Sequence, residues 1–403
     1  MNLFEFAFFT SYSFLTVFTA YLLLFSIAGK LKKGRGMTVH STLQIQKIAI
    51  LIPAYKEDAV IVESAKQALQ QNYPSDFFDV IIIADSLQPA TLQQLSDLPV
   101  QVMQVTFELS TKAKALNYAL QHLADDYQIA LILDADNIMK NDVLVEFNQM
   151  MQGSVKVAQG HRIAKNINTS IAFLDAVSEE VNNHIFRKGH VALGLSAALI
   201  GSGMAFKFNL FKKVMSTIQA VGGFDKELEL KLLRENIKIA YLENAFIYDE
   251  KVPKASALQA QRRRWISAQL HYFKAYFWSG FYHLVFHGNI DYFNKVFQMI
   301  LPGRLLLLGA TVFAICISAL VGNPLILGGW LFLLTANIFA LLLAIPSNLY
   351  GWKFVKALFS LPKALAVLLL ALIQIKGANT RFIHTEHSSI SVNKQEPCNE
   401  NRN

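Results

Sequence analysis

The residue pattern best suited to chemistry is a pair of aspartates at the end of an apolar stretch. Leu131–Leu133 immediately precede Asp134 and Asp136. A buried strand ending there would place both carboxylates at the rim of a sheet. Mg²⁺ and Mn²⁺ prefer oxygen ligands and usually keep water and substrate phosphates in their shells. The same composition also favours a plain surface turn, but the apolar residues before it favour metal or nucleotide binding.

Three other motifs are ambiguous when each is taken alone. Pro53 ends an apolar segment because it lacks a ladder donor, and the loop after it either binds a nucleotide or simply turns. Asp85 ends a second apolar segment, where it could bind a ribose or base or cap the next segment. Gly201–Phe206 is a small-residue turn leading into apolar sequence, whose glycines would let a ligand approach the backbone or would merely satisfy a positive φ.

Two charged segments lie further along the chain. Gln261–Trp265 places three arginines beside an indole, a combination that suits phosphate binding and stacking. For Arg262 and Arg263 a basic collar on anionic lipid headgroups explains the pattern equally well. Asp225 begins a predicted helix as its N-cap, and acids in a first helical turn suit the helix dipole. The acids of this helix therefore have a complete structural explanation.

The elements that must position these residues alternate between strand-like and helix-like segments. Helical patterns at Asp58–Gln71 and Lys112–Leu123 separate short apolar segments that are typical of buried parallel strands. This alternation predicts a doubly wound α/β domain over residues 45–265, which would bind ligands at the carboxyl ends of its strands. The predicted strands are Lys47–Ile52, Asp79–Ala84, Val100–Val105 and Ile129–Leu133.

Composition indicates a membrane protein with a large polar part. The 403 residues are 53% hydrophobic and 16% charged, with a net charge of +8. Soluble domains carry about 25% charged residues, so an ordinary soluble enzyme and a disordered chain are both disfavoured. Cys316 and Cys398 are too few for a disulfide framework or a four-cysteine zinc site. The basic excess suits an anionic membrane surface, a phosphate-rich substrate or nucleic acid.

The apolar residues concentrate near both ends of the chain. Residues 1–29 predict a transmembrane helix, since a cleaved signal peptide would need basic residues before the apolar run and small residues after it. The basic residues Lys30, Lys32, Lys33 and Arg35 place this flank in the cytoplasm and the N-terminus outside. Residues 266–299 predict interfacial helices, residues 300–376 two to three spans, and residues 377–403 a polar tail. A stretch at about 355–375 carries Lys356 and Lys363 and could span or lie in the interface.

In this order and spacing, the motifs resemble membrane-integrated family 2 glycosyltransferases. Relatives in that family are the cellulose, hyaluronan and poly-N-acetylglucosamine synthases and the ceramide glucosyltransferases. The resemblance covers about residues 47–270 and the helices on both sides. It implies a GT-A fold, a nucleotide-activated sugar (usually a UDP-sugar) and a divalent metal, Mg²⁺ or Mn²⁺.

The resemblance also implies roles for individual residues. Asp136, with Asp134, would be the metal ligand, and Lys56 stands where asparagine is commoner. The acceptor end or the diphosphate would contact Gly203, Gln261, Arg264 and Trp265. The nucleotide sugar would contact Pro53, Ala54, Tyr55, Glu57, Asp85, Lys112 and Asp134.

The catalytic base is where this chain departs from the family's usual Glu-Asp pair. Alignment on Leu228–Leu230 places Lys226 and Glu227 at that pair, so Glu227 is the expected base, with Asp225 and Glu229 as alternatives. A neighbouring ammonium would lower the basicity of Glu227. In the tail, Phe382–His387 resembles a membrane-proximal ending of these enzymes, which would place the tail in the cytoplasm and implies two C-terminal spans plus an interfacial helix, whereas hydropathy favours three spans.

These expectations combine into an inverting glycosyltransferase with Glu227, Asp136 and Arg264 as catalytic residues. Its acceptor would be a polysaccharide or a membrane lipid at the cytoplasmic face of a bacterial inner membrane. A polymer synthase with so few helices would need an oligomer or a partner subunit, and nucleic acid is disfavoured as a partner. The alternative is a non-catalytic membrane scaffold or transport subunit with a degenerate transferase domain.

Overall fold

The computed structural model describes residues 3–31, 44–220, 222–251 and 255–374. The basic residues Lys32, Lys33 and Arg35, the predicted tail 377–403 and its motif Phe382–His387 lie outside the described residues. The side of the membrane on which the tail lies therefore stays a prediction.

One mixed sheet forms the centre of the middle domain, with strands in the order β3-β2-β1-β4-β7-β6-β8-β5. Its strands in the described part of the chain are β1 (Ile48–Tyr55), β2 (Phe78–Asp85), β3 (Gln101–Val105), β4 (Ile129–Ile132), β5 (Ile138–Met139), β6 (Val157–Ala164), β7 (Met204–Lys207) and β8 (Ile239–Asp249).

The first half of the sheet is parallel, as predicted. β1 lies between β2 and β4, with Ile50 opposite Val80 on one side and Leu131 on the other, and β3 pairs parallel with β2. These strands are apolar almost throughout because helices cover both faces of a parallel sheet. Their carboxyl ends therefore meet at one edge, where the polar motifs begin.

The second half of the sheet differs from a uniformly parallel one. β7 pairs antiparallel with both β4 and β6, and β6 pairs parallel with β8. β5 pairs antiparallel with the end of β8. This arrangement brings the carboxyl end of β8 beside the turn that follows β4.

Two hydrophobic cores cover the two faces of the sheet, since alternate residues of a strand point to opposite faces. The helices of the domain are α2 (Ile61–Ala68), α3 (Pro89–Ser96), α4 (Lys112–His122), α5 (Val143–Met150), α6 (Ser170–Asn182, followed by a π-helical segment Asn183–Gly189), α7 (His190–Ala192), α8 (Phe208–Met215) and α9 (Phe224–Arg234). Leu51 belongs to the core that includes α4, α8 and α9, and Ile50 to the core that includes α2, α3 and α5.

The remaining helices contain the apolar ends of the chain. They are α1 (Leu3–Leu31), α10 (Ala255–His287), α11 (Ile290–Gln298), α12 (Arg304–Val321), α13 (Pro324–Ala344), α14 (Trp352–Leu358) and α15 (Leu361–Ile373). Within the described ranges, three of them (α1 from Phe8 onward, α12 and α13) are long and apolar enough to cross a membrane. The pair α14–α15, bent by 49°, would add a fourth if it forms one span.

The domain and the apolar helices pack directly on each other. Trp330 of α13 contacts Tyr12 of α1 edge to face at 5.1 Å. The π-helical segment packs on α1, where His184 bonds the Ser26 carbonyl at 2.9 Å. α10 runs without a break through the predicted boundary at residue 265, because the Gln261–Trp265 motif lies inside the helix rather than in a linker.

Candidate active site

The predicted metal ligands Asp134 and Asp136 lie in the turn after β4 and are held there by Ser202. The backbone N–H of Asp134 donates to Ser202 Oγ at 2.9 Å, and Ser202 Oγ donates to Asn137 Oδ1. Ser202 is fully buried. The Ser202 hydroxyl therefore bonds both Asp134 and Asn137 and holds the turn between them in place.

Gly203 makes that position of Ser202 possible. Its N–H donates to the Ile132 carbonyl at 2.8 Å, and its φ is +61°. A Cβ at Gly203 would lie 2.3 Å from Ile247 Cδ1, so a larger residue does not fit. The sequence predicts Gly203 beside the acceptor. The structure places it beneath the carboxylate turn, where it lines neither of the two cavities near the site.

A third carboxylate, Asp249, joins the pair from the end of β8. Ligand oxygens of Asp134, Asp136 and Asp249 all lie within 4.8 Å of one another. Asn137 Nδ2 donates to Asp136 Oδ1 and to Asp249 Oδ1, both at 3.2 Å. The all-oxygen set fits a hard divalent cation such as Mg²⁺ or Mn²⁺. Sequence reasoning missed Asp249, although an acid at a strand's carboxyl end was the available signal.

Basic side chains surround this carboxylate triad. Lys112, at the start of α4, forms an ion pair with Asp134 and donates to the Gly201 carbonyl at 2.7 Å. Lys251 Nζ lies 2.7 Å from Asp249 and Arg162 Nη1 3.7 Å from it. Burial alone would raise the pKa of the Asp249 carboxyl, but the charges of Arg162 and Lys251 outweigh it and hold that pKa below its usual range.

A buried glutamate on α6 extends the charge network. Glu179 pairs with Arg162 at 3.0 Å and with Arg187 at 3.2 Å. Burial would raise the pKa of the Glu179 carboxyl, yet Arg162, Lys251 and Arg187 together keep that pKa well below its ordinary value. None of these residues was predicted, because no local motif marks them.

A cavity of about 290 Å³ lies over the triad. Lys56 does not line it; this residue is exposed with a φ of +57°, and its N–H donates to the Asp85 carbonyl at 3.1 Å. That left-handed conformation suits asparagine better than lysine. The predicted residues that line this cavity are Pro53, Ala54, Tyr55, Glu57, Asp85, Lys112, Asp134, Asp136, Gln261, Arg264 and Trp265.

The α10 residues supply the polar wall opposite the triad. Gln261 Oε1 is buried with no hydrogen-bond partner in the described part of the chain, so it can accept a hydrogen bond from a ligand hydroxyl. Burial lowers the pKa of the Arg264 guanidinium. The Arg262 guanidinium lies 4.5 Å from the ring centre of Trp265.

A second cavity, of about 920 Å³, lies beside the cavity over the triad and extends to the apolar helices. Its walls include Phe14 of α1, Leu306 of α12 and Leu368 of α15. Both cavities are lined by Arg162, Asp175, Glu179, Ile200, Arg264 and Trp265.

The candidate bases on α9 have different environments. Glu227, the predicted base, pairs with Lys231 at 2.7 Å and lines neither cavity. Asp225 lines the second cavity, with Lys226 Nζ 3.5 Å from its carboxylate. Glu229 is fully buried and pairs with Lys295 at 2.9 Å.

Comparison with known proteins adds sequence and structural relatives. Residues 46–268 match the family described as "Glycosyltransferase like family 2". Beta-monoglucosyldiacylglycerol synthase of Nostoc sp. is 25% identical over 232 residues, 54% of this chain and 48% of that protein. The enzyme of the same name from Synechocystis sp. is 26% identical over 242 residues, 56% of this chain and 48% of that protein. The chain thus spans about half the length of these curated relatives.

Among solved structures, a similar one is the mannosyltransferase PcManGT from Pyrobaculum calidifontis in complex with GDP-Man and Mn²⁺. The TM-score is 0.57 at 17% identity, over 92% of this chain and 98% of that one. At that identity the likeness concerns the fold. It confirms the predicted GT-A-like α/β fold.

Proposed function

Because this chain belongs to the family 2 glycosyltransferases, we propose that it transfers a sugar from a nucleotide diphosphate donor to the hydroxyl of a membrane lipid, inverting the anomeric configuration. The observation that carries this proposal is that the two cavities are neighbours with six lining residues in common. A polar, acid-rich cavity thus lies beside one whose walls include apolar helices. This is the arrangement needed when a nucleotide sugar meets a lipid.

The cavity over the triad, which we call the donor cavity, has the groups that a nucleotide diphosphate sugar needs. In the proposal, Tyr55 and Asp85 contact the nucleoside, while Lys112 and Arg264 contact the diphosphate. Lys112 and Arg264 are cations, and arginine bonds phosphate oxygens in a bidentate manner. These two cations stabilise the negative charge that develops on the departing diphosphate, and such electrostatic stabilisation is usually the largest contribution to catalysis.

Asp134, Asp136 and Asp249 would hold the divalent cation. When bound, such a cation neutralises diphosphate oxygens as a Lewis acid. The three carboxylates also face Lys112, Lys251 and Arg162, which balance their charge. Mn²⁺ and Mg²⁺ both suit this set, and the mannosyltransferase of similar fold was solved with Mn²⁺.

For the base, the contacts on α9 favour Asp225 over Glu227. Asp225 lines the second cavity, which is the proposed acceptor site. It also lies close to Gly201, since its Cγ is 4.0 Å from the position of a Cβ built on that glycine, and the Gly201 carbonyl accepts a hydrogen bond from Lys112. In the proposal, the Asp225 carboxylate takes the proton of the acceptor hydroxyl, whose oxygen attacks the anomeric carbon opposite the diphosphate. Glu227 stays a prediction from alignment, and its ion pair with Lys231 would have to break before it could act.

A lipid is the better acceptor because one part of the second cavity is walled by apolar side chains of α1, α12 and α15. Acyl chains fit such walls, whereas a growing polysaccharide needs polar partners along its path. The relatives from Nostoc and Synechocystis are named for a glucosyldiacylglycerol product, which supports the same class of acceptor. We place the reaction at the cytoplasmic face of a bacterial plasma membrane, following the basic residues after α1.

The full chain, purified in detergent with Mn²⁺, tests this function against UDP-glucose, UDP-N-acetylglucosamine and GDP-mannose. We expect nucleoside diphosphate release from one donor, stimulated by lipid extract, and a lipid product heavier by one sugar in mass spectrometry. Lack of release from every donor would favour the scaffold alternative. A product of many sugars would instead establish a polysaccharide synthase.

A further inference from the structure

The second cavity carries an excess of positive charge. Its acidic lining residues are Asp175, Glu179 and Asp225. Its basic lining residues are Arg162, Arg187, Lys226, Arg262, Arg264, Lys295, Arg304 and Lys363. A neutral lipid headgroup gives no reason for that excess, because each uncompensated cation near an apolar region costs desolvation energy.

Most of these cations have a carboxylate partner inside the protein. Arg162 and Arg187 pair with Glu179, and Arg262 pairs with Asp175. Two lysines form ion pairs with acids of α9: Lys226 with Asp225 and Lys295 with Glu229. These five cations therefore have their charge balanced without a ligand.

Arg304 differs from these cations. Its Nη2 donates to the carbonyl of Ser178 at 3.0 Å and to Ser178 Oγ at 2.7 Å, both neutral acceptors. Its Nη1 is buried and has no hydrogen-bond partner in the described part of the chain. No carboxylate of the described residues lies within ion-pair distance of Arg304 or of Lys363 on α15.

The place of Arg304 in the cavity fits a headgroup rather than the donor. Arg304 does not line the donor cavity. Its partner Ser178 follows Asp175 by three residues on α6, and side chains at that spacing lie about 5–6 Å apart. Asp175 lines both cavities. Arg304 thus contacts α6 one turn away from a residue that lines both cavities, and it lies at the start of α12, where the helix dipole adds positive potential.

We propose that Arg304, assisted by Lys363, binds the phosphate of an anionic lipid, so that the acceptor is a phosphate-bearing lipid rather than a neutral diacylglycerol. The inference rests on the proposed function, since it names the class of acceptor in that site. The lipid phosphate supplies the partner that Arg304 Nη1 lacks. The acyl chains then lie along α12 and α15, and a hydroxyl of the headgroup extends toward Asp225.

Native mass spectrometry of the full chain in neutral detergent, without any sugar donor, tests the inference. The probes are dioleoylphosphatidylglycerol, dioleoylglycerol and inorganic phosphate. We expect the phospholipid to bind at least ~10-fold more tightly than dioleoylglycerol, as charge-assisted bonds to phosphate are strong. Arg304→Gln should remove most of that difference and Arg304→Lys only part of it, because lysine keeps the charge but loses the planar fork.

Lys353→Gln is the matched control, since Lys353 is an exposed lysine of α14 that does not line the cavity. It should leave the preference unchanged. Should Arg304→Gln not fold, Lys363→Gln carries the test, with a smaller expected loss. Equal binding of both lipids, or an unchanged preference in the folded Arg304→Gln variant, would refute the inference. Inorganic phosphate binding as tightly as the phospholipid would refute the lipid as its source.

Because no donor is present, this binding result is independent of turnover. Absence of sugar transfer from every donor would reject the proposed function and leave the binding result standing. Transfer to dioleoylglycerol, with no anionic preference, would keep the function and reject the inference.

Discussion

At the scale of single residues, charge balance explains why three carboxylates can lie together. Asp134, Asp136 and Asp249 would repel one another in a partly buried site, and Asn137 bridges two of them with its amide. Lys112 and Lys251 each neutralise one member. The carboxylates can therefore stay together before a cation binds, while their oxygens remain close enough to bind one.

Replacing Asp249 by asparagine tests whether it is a metal ligand. Asp249→Asn should weaken Mn²⁺ binding by at least ~10-fold, the lower end of what even outer partners of a metal site contribute. Electron paramagnetic resonance of free Mn²⁺ measures this affinity directly. Asp125→Asn, at an exposed acid that pairs with Lys212, is the control and should bind Mn²⁺ as the wild type does. Equal affinity in both variants would exclude Asp249 from the site.

A pair of variants distinguishes the two candidate bases. Asp225→Asn should lower kcat by ~10²–10⁴, the usual contribution of general base catalysis, and leave donor binding nearly intact. Glu227→Gln should change kcat little, because it removes only an ion pair with Lys231 that lies outside both cavities. Steady-state transfer rates and donor binding measured side by side check both. The reverse ranking of the two variants would return the role to Glu227.

The residues that could be predicted were those whose signal is local. Asp134 and Asp136 directly follow an apolar strand, so their place at the sheet edge follows from the chain. Asp249 reaches the same point from a distant strand, and Glu179 from a helix without any motif. The pairing of β8 with β5 and β6 and the packing of α6 bring them together, and no spacing in the sequence encodes that.

At the scale of elements, the turn Gly201–Gly203 before β7 holds the turn that carries Asp134 and Asp136 in place. We call Gly201–Gly203 the clamp. The Gly160 N–H donates to the Gly203 carbonyl at 2.8 Å, and Ser202 holds Asp134. Ile247 of β8 closes the space above both glycines. The clamp therefore couples three strands to the position of the metal ligands.

Enlarging Gly203 should disturb the clamp. Gly203→Ala brings a methyl group to 2.3 Å from Ile247 Cδ1 and strains a φ of +61°, so we expect a loss of ~1–3 kcal/mol in stability. Adding Ile247→Val removes the clashing methyl group and should restore part of that loss. Thermal unfolding measures both. Gly153→Ala, with open space around its position, is the control, and an equal midpoint for it and Gly203→Ala would contradict the clamp.

The same scale shows why half of the sheet could be predicted and half could not. β1, β2 and β4 are apolar runs, which is the pattern of buried parallel strands. β7 has only four residues and directly follows the glycine-containing turn Gly201–Gly203, and β6 and β8 contain charged and polar residues. Some of their polar residues line the candidate active site, for example Arg162 in β6, which pairs with Asp249. These polar residues interrupt the apolar pattern by which a buried strand is recognised in a sequence.

At the scale of the whole molecule, a buried ion pair joins the transferase domain to α11, the helix that precedes the apolar helices α12 and α13. Glu229 of α9 pairs with Lys295 of α11 at 2.9 Å, and both side chains are almost fully buried. Glu229 also accepts from the Leu199 N–H at 3.0 Å. The pair holds α11 beside Leu199, and the next residue, Ile200, lines both cavities. The pair therefore helps to keep the two cavities in fixed relative positions.

Breaking this pair from one side should destabilise the whole chain. Lys295→Met leaves the buried Glu229 carboxylate without its main partner, which costs ~3–5 kcal/mol in comparable pairs. The thermal unfolding midpoint in detergent should fall clearly, and the double variant Glu229→Gln with Lys295→Met should recover most of it, because no buried charge is then uncompensated. Lys274→Met, at an exposed lysine of α10, removes the same charge as a control. Unfolding of Lys295→Met at the same temperature as Lys274→Met would show that the pair does not join the two parts.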